Sequence, residues 1–91
     1  MGQVIIFYLE HCPYCVKARR AVEELRADNA ALNALDIEWI EESRQPDVAD
    51  RYDYYRVPTV YVDGEKLYEC SPSHDYDAIR EHIRAALGKA V

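Results

Sequence analysis

The chain has 91 residues, 49% of them apolar or aromatic, which fits a single domain over 1–91 with one modest core. Eleven Lys and Arg against 17 Asp and Glu give a net charge of −6, which speaks against a nucleic-acid binder, because such proteins need clustered cations to displace counterions from phosphates. No apolar run approaches the roughly 20 residues of a membrane span. The apolar stretch Val4–Leu9 is too short for a signal peptide and has no basic residue before it, so a cytoplasmic protein without a membrane role is expected.

Gln3–Leu9 is short and rich in β-branched and aromatic residues, and reads as a strand buried on both faces. From Pro13 the period changes: Ala18, Ala21, Val22 and Leu25 recur at helical spacing between charged residues. That helix should fade near Asp28–Asn29, with Ala30–Leu35 adding a further turn. In Leu35–Ile40 the residues Leu35, Ile37 and Trp39 alternate onto one side of a second strand. Ser43 and Pro46 suit the start of a short helix that buries Val48, Ala49 and Tyr52. Val57–Val62 is a third strand, Asp63-Gly64 a hairpin turn, and Lys66–Tyr68 the antiparallel fourth strand. A final helix is expected from near Ser71-Pro72-Ser73, with Tyr76, Ile79, Ile83, Ala86 and Leu87 as its apolar stripe and Gly88 at its end. The order is βαβαββα, an α/β arrangement with its first two strands parallel.

Chemistry concentrates in LEHCPYCVKARR. A close cysteine pair in a reducing compartment points to catalysis or metal binding rather than a permanent crosslink, and three cysteines are an odd number for a disulfide framework. Cys12 falls at a strand-to-helix junction and Cys15 one turn further, so their sulfurs share a helix face. Free backbone N–H groups at the helix start stabilise a thiolate on Cys12, with His11 and Lys17 adding positive charge. Cys12 is therefore the expected nucleophile and Cys15 the resolving thiol. Zinc is the weaker reading, because no second close pair exists and the spacings of Cys70, His11, His74 and His82 match no zinc module, so no metal ligand is assigned. Val57-Pro58 is the second signal. A proline opening an apolar strand cannot donate to the ladder, and a cis bond there would leave the Val57 backbone free to pair with an extended substrate. Cys70 reads as a small residue at a strand end, His74 and His82 as helix-surface residues, and Tyr54 or Tyr55 as candidate flanks of the site.

CPYCVKARRAVEEL resembles the active-site helix of glutaredoxins, and ADRYDYYRVPTVYVDGEKL resembles the thioredoxin stretch running through the cis-proline strand into the hairpin. The resemblance implies a thioredoxin fold, a four-stranded mixed sheet flanked by three helices. It implies a thiol–disulfide oxidoreductase of cell redox homeostasis and electron transport, with no bound cofactor. Pro58 would be the cis-proline facing Cys12 and Cys15, and Pro13, Tyr14, Val57, Pro58 and Thr59 the substrate-binding set. Its partners would be disulfide-containing proteins, with glutathione or a thioredoxin reductase as the source of electrons and the protein acting as a monomer. Two alternatives stand beside this: a glutathione-dependent glutaredoxin, and a non-catalytic adaptor or iron–sulfur carrier. The chain also departs from both branches. Leu9 stands where glutaredoxins carry a cation and Tyr68-Glu69 where they carry two glycines, while Asp75, after a short insertion, would be their aspartate and a glutathione contact. Ile6 and His11 replace the buried acid and the tryptophan of thioredoxins. Weak glutathione binding is expected, with Glu10 and Glu69 adding repulsion if they face the groove.

Overall fold

A computed structural model describes residues 2–91. Its elements in chain order are β1 (Val4–Tyr8), α1 (Pro13–Asp28), α2 (Ala30–Asn33), β2 (Ile37–Glu41), α3 (Pro46–Ala49), β3 (Thr59–Val62), β4 (Glu65–Glu69) and α4 (Tyr76–Gly88). The expected βαβαββα order stands, with α2 as a separate turn. Asn29 makes the break: its backbone is extended and its side chain accepts from the Ala31 and Leu32 N–H groups, starting a new helix.

The sheet order is β2-β1-β3-β4. β1 pairs parallel with β2, setting Ile6 against Trp39, and antiparallel with β3, setting Ile6 against Val60. Between β3 and β4 the turn residues Asp63 and Gly64 both have positive φ, 51° and 82°, as a two-residue hairpin of right-handed twist requires. A bulge at Val60/Tyr61 slips the β3–β4 register and brings Tyr68 opposite Val60.

Alternation along β1 divides the core in two. Val4 and Ile6 face α1 and α4, where they join Ala18, Val22, Leu25, Ile79, Ile83 and Leu87. Ile5 and Phe7 face the other way, toward Ile40, Ala49 and Tyr61, with Tyr52 and Tyr54 packed over them.

Two expectations about the C-terminal part are corrected. The last helix starts at Tyr76, and its cap is Asp75, whose carboxylate accepts from the Ala78 N–H at 2.9 Å. Ser71 and Ser73 instead hydrogen-bond each other in a preceding turn, so their hydroxyls are not available to a helix end. His74 lies in that connection rather than on a helix face. Its ring stacks on His82, and its Nδ1 lies 2.8 Å from the Tyr68 hydroxyl.

Candidate active site

The β1–α1 connection turns sharply, with the Cys12 N–H donating to the Leu9 carbonyl. Pro13 then occupies the first turn of α1, where its missing N–H costs no bond, and Cys12 is the extended residue that caps it. Cys12 is half-buried, with its sulfur 4.0 Å from the Val57 carbonyl oxygen. Cys15, one turn on, is 4% exposed, and its sulfur accepts the Leu9 N–H at 3.5 Å. Both thiols are free. Burial pushes the Cys15 thiol well above its ordinary value; the Leu9 N–H opposes this and the neighbouring Cys12 thiol adds to it. The pair thus consists of one accessible sulfur and one sealed behind it.

Beside Cys12 runs a groove of about 310 Å³ lined by Leu9, Tyr14, Tyr55, Arg56, Val57 and Cys70, among others. Tyr14 fixes one wall by donating its hydroxyl to the Pro72 carbonyl at 3.0 Å. The Val57–Pro58 peptide bond is cis. Among the described residues the Val57 N–H has no hydrogen-bond acceptor. Of the expected substrate-binding set, Tyr14 and Val57 line this groove and Pro13 is exposed at the helix start beside Cys12. Pro58 and Thr59 do not reach the surface: both are fully buried, and the Thr59 hydroxyl donates to the Arg56 carbonyl. They support the groove from behind. His11 is exposed, and the Lys17 ammonium stands 5.7 Å from the centre of the Tyr14 ring. Asp75 is engaged as the α4 cap. Cys70 is buried just past β4, with its N–H donated to the Pro58 carbonyl at 3.0 Å. Tyr55, not Tyr54, flanks the groove; Tyr54 stacks on Phe7 and donates to Glu42.

Two glutamates that sequence reasoning did not assign to the site hold its loops. Glu41, 7% exposed at the end of β2, accepts from the Ser43 hydroxyl and N–H, both at 2.6 Å, and from the Glu10 N–H at 3.3 Å. Glu69, at the end of β4, accepts from the Tyr55 and Arg56 N–H groups at 2.7 and 2.8 Å and from Lys66 at 2.8 Å. Glu10 and Glu69, which would add repulsion if they faced the groove, do not line it: Glu10 pairs with Arg44 and Glu69 is turned onto the loop backbone. An acid at a strand end reads in sequence as a solvated residue, so nothing in the pattern marks Glu41, and Glu69 reads only as an obstacle to a ligand. Among the described residues, no group of three or more His, Cys, Asp or Glu side chains is placed to hold a metal ion, and no helix is long and apolar enough to cross a membrane.

The glutaredoxin family model matches residues 4–67. A thioredoxin of Methanocaldococcus jannaschii is 29% identical over 85 residues, covering 93% of this chain and 95% of that protein. A chloroplastic glutaredoxin-C4 of Oryza sativa subsp. japonica is 31% identical over 67 residues, 74% of this chain, and the match spans half the length of that relative. The solved structure of a mutant thioredoxin from Halobacterium salinarum superposes with a TM-score of 0.60 at 24% identity, covering 94% of this chain and 74% of that one, a likeness of fold. The stretch matched by the family model includes Leu9, both cysteines and Val57-Pro58, and ends just before Tyr68-Glu69. The chain belongs to the glutaredoxin family, and its function is of the thiol–disulfide oxidoreductase type.

Proposed function

We propose that this protein reduces disulfides of protein substrates by dithiol exchange, with Cys12 as nucleophile, Cys15 as resolving thiol and no resident cofactor. The observation that carries this reading is the asymmetry of the pair: Cys12 is partly exposed with its sulfur 4.0 Å from the carbonyl of Val57, a residue of the groove, and Cys15 is buried one turn behind it. The Cys12 thiolate attacks one sulfur of the substrate disulfide. The substrate S–S bond breaks, a mixed disulfide forms on Cys12, and the first substrate sulfur leaves as a thiolate that takes a proton. Cys15 then loses its proton and attacks the Cys12 sulfur, which releases the second substrate sulfur as a thiol. Two electrons have passed to the substrate, and Cys12–Cys15 is now a disulfide. A thiol donor, glutathione or a thioredoxin reductase, returns those electrons.

Sealing Cys15 delays its attack until the mixed disulfide has formed, because a buried neutral thiol is a poor nucleophile. A substrate strand pairing with the Val57 N–H would bring its disulfide to the sulfur that lies 4.0 Å from the Val57 carbonyl. A glutathione-dependent reaction is the second reading, and the exposed Arg56 on the groove favours it by supplying a cation that Leu9 lacks. Comparing reduction of insulin with that of a small glutathione mixed disulfide separates the two, and faster insulin reduction is expected. For the mechanism, Cys12→Ser should abolish reduction, whereas Cys15→Ser should accumulate substrate linked to Cys12, seen as an added mass removed by dithiothreitol. Full turnover of a protein disulfide by either variant would overturn the dithiol route.

A further inference from the structure

We infer that His74 is a positioning residue for the reaction: its neutral ring latches the connection after β4 that walls the groove, and the wall loosens when the ring takes up a proton. This rests on the oxidoreductase reading, since the same groove includes Val57, whose carbonyl meets the Cys12 sulfur. Cys70, Ser71 and Pro72, from that connection, line the groove where the Tyr14 hydroxyl of α1 donates to the Pro72 carbonyl at 3.0 Å. Ser71 is the hub of the connection. Its carbonyl accepts the His74 N–H at 2.9 Å and the Cys70 thiol at 3.5 Å, and its hydroxyl accepts the Ser73 N–H at 3.3 Å. Its own N–H, one place before Pro72, donates to the His74 Nδ1 at 3.3 Å.

That last bond fixes the state of the imidazole. A backbone N–H can only donate, so Nδ1 presents its lone pair and the ring proton sits on Nε2. The Tyr68 hydroxyl, 2.8 Å from the same nitrogen, donates to it as well. Tyr68 is buried in β4, and burial pushes its hydroxyl well above the ordinary value, so it stays a neutral donor. The exposed His82 ring of α4 lies across both partners, 5.0 Å from Tyr68 and 4.8 Å from His74, within 21° of parallel to each. The neighbouring acids are engaged elsewhere: Asp75 caps α4 and Glu81 pairs with Arg84. A proton on Nδ1 therefore finds no carboxylate partner there. It faces the Ser71 N–H, which loses its acceptor, and the Tyr68 hydroxyl, which must turn round to accept. A charge on His82 as well would add repulsion across 4.8 Å. Histidines change charge between about pH 5 and 8, so the latch opens in mild acid.

The test uses the full chain, pre-reduced, and a synthetic peptide with one internal disulfide, between about pH 7.5 and about pH 5.5. In the wild type KM should rise about fivefold over that range, a loss that fits one hydrogen bond, while kcat follows the Cys12 thiolate in every variant alike. His74→Asn keeps an acceptor in place of Nδ1 but does not titrate, so its KM should stay within about twofold. His74→Phe keeps a ring under His82 and loses the acceptor, so its KM should be raised at neutral pH already and change little in acid. His82→Phe should keep the wild-type response, which assigns it to His74. Nitrogen NMR of the wild type needs no variant, and should show the neutral Nε2–H ring of His74 at neutral pH. The Ser71 amide should exchange faster than in His74→Asn only on the acid side. An Nδ1–H ring at neutral pH, or the same pH dependence of KM in the wild type and His74→Asn, would overturn the positioning role and leave the oxidoreductase reading in place. Failure of the wild type to reduce the peptide, or insulin, at any pH would overturn both.

Discussion

The α1/α4 face of the sheet is aliphatic and closed by two long helices, whereas the opposite face is aromatic and covered by the single turn of α3 and a loop. On the first face Ile6, Ile79, Ile83 and Leu87 are fully buried, and α1 is pinned against α4 along its length. On the second, the Phe7 ring contacts Tyr52, Tyr54 and Tyr61 at 4.8, 4.8 and 5.9 Å, while Tyr52 and Tyr54 stay partly exposed. The two halves of the active site fall on either side of this division. Cys12 and Cys15 begin the helix of the well-packed face. Tyr55, Arg56 and Val57 belong to the thinly covered face, where Glu69, the Thr59 hydroxyl and the Tyr54–Glu42 bond supply order that packing does not. Dispersion and apolar burial thus fix the helix that carries the cysteines, and directional hydrogen bonds fix the surface that meets them. Packing resists deformation in every direction, whereas a few polar bonds can open singly.

The largest expected effect comes from breaking the packed face. Ile83→Ala removes a fully buried side chain between α4 and the sheet, and should cost roughly 2–5 kcal/mol. That is a large fraction of the about 5–15 kcal/mol that stabilises an ordinary domain. Urea unfolding should show a lower midpoint with an unchanged slope. The folded fraction should still reduce insulin at the normal rate per molecule, since Ile83 does not line the groove. A cost below about 1 kcal/mol would mean that this face relaxes into the cavity and is less rigid than its burial indicates.

Breaking a clamp on the other face should have the reverse signature. Glu69→Ala leaves the Tyr55 and Arg56 N–H groups without an acceptor and Lys66 without its partner. The stability cost should be small, about 0.5–1.5 kcal/mol, because both hydrogen bonds are exposed and water can replace the carboxylate. The functional effect should be larger than that loss alone explains: KM for a peptide disulfide should rise while kcat changes little. Amide exchange at Tyr55 and Arg56 should accelerate with little change along α1. Glu69→Gln keeps one acceptor and should fall between. Unchanged KM would show that the loop holds its shape without this carboxylate.

The two faces are not equally legible in the sequence. The continuous apolar run VIIFY and the period-3.6 spacing of Ala18, Ala21, Val22 and Leu25 reveal a central strand and the helix packed on it, because burial of many apolar residues leaves a pattern in sequence. CPYC at a strand-to-helix junction reveals the cysteine pair for the same reason: the motif and its element are local. The groove is different. It is made from Leu9, Tyr14, Arg56 and Cys70, which are distant in sequence and meet only through the β2-β1-β3-β4 order. The resemblance places Thr59 in the substrate-binding set, yet its hydroxyl is satisfied internally by the Arg56 carbonyl. Glu69 reads as an obstacle because a charge at a strand end normally faces water. No pattern in one chain announces that a carboxylate will turn inward onto two amides fourteen and thirteen positions away.

The smallest effect expected is a pH dependence carried by the second clamp, Glu41, which ties the start of the Cys12 loop to the end of β2. The Ser43 hydroxyl, followed by the Ser43 and Glu10 N–H groups, holds the Glu41 carboxyl below its ordinary value, although burial acts against this. A carboxyl depressed in the folded state binds protons more readily once unfolded. Its stabilisation is therefore complete above the ordinary carboxylate value, near pH 4.3, and is lost as the pH falls through the lower folded value. Glu24, Glu69 and Glu81 are depressed too, so the whole protein should weaken in acid and the profile alone assigns nothing to Glu41. Glu41→Gln resolves this, since Gln can still accept but does not titrate. Urea midpoints of the two proteins should differ most near neutral pH and converge in acid, and exchange of the Glu10 amide should be faster in the variant only on the neutral side. Ser43→Ala should reproduce part of that convergence by removing the largest lowering influence while leaving the carboxylate in place. Parallel profiles for wild type and Glu41→Gln would show that the loop before Cys12 is held by the packed helix α1 alone, and would move it from the hydrogen-bonded part of the site to the packed one.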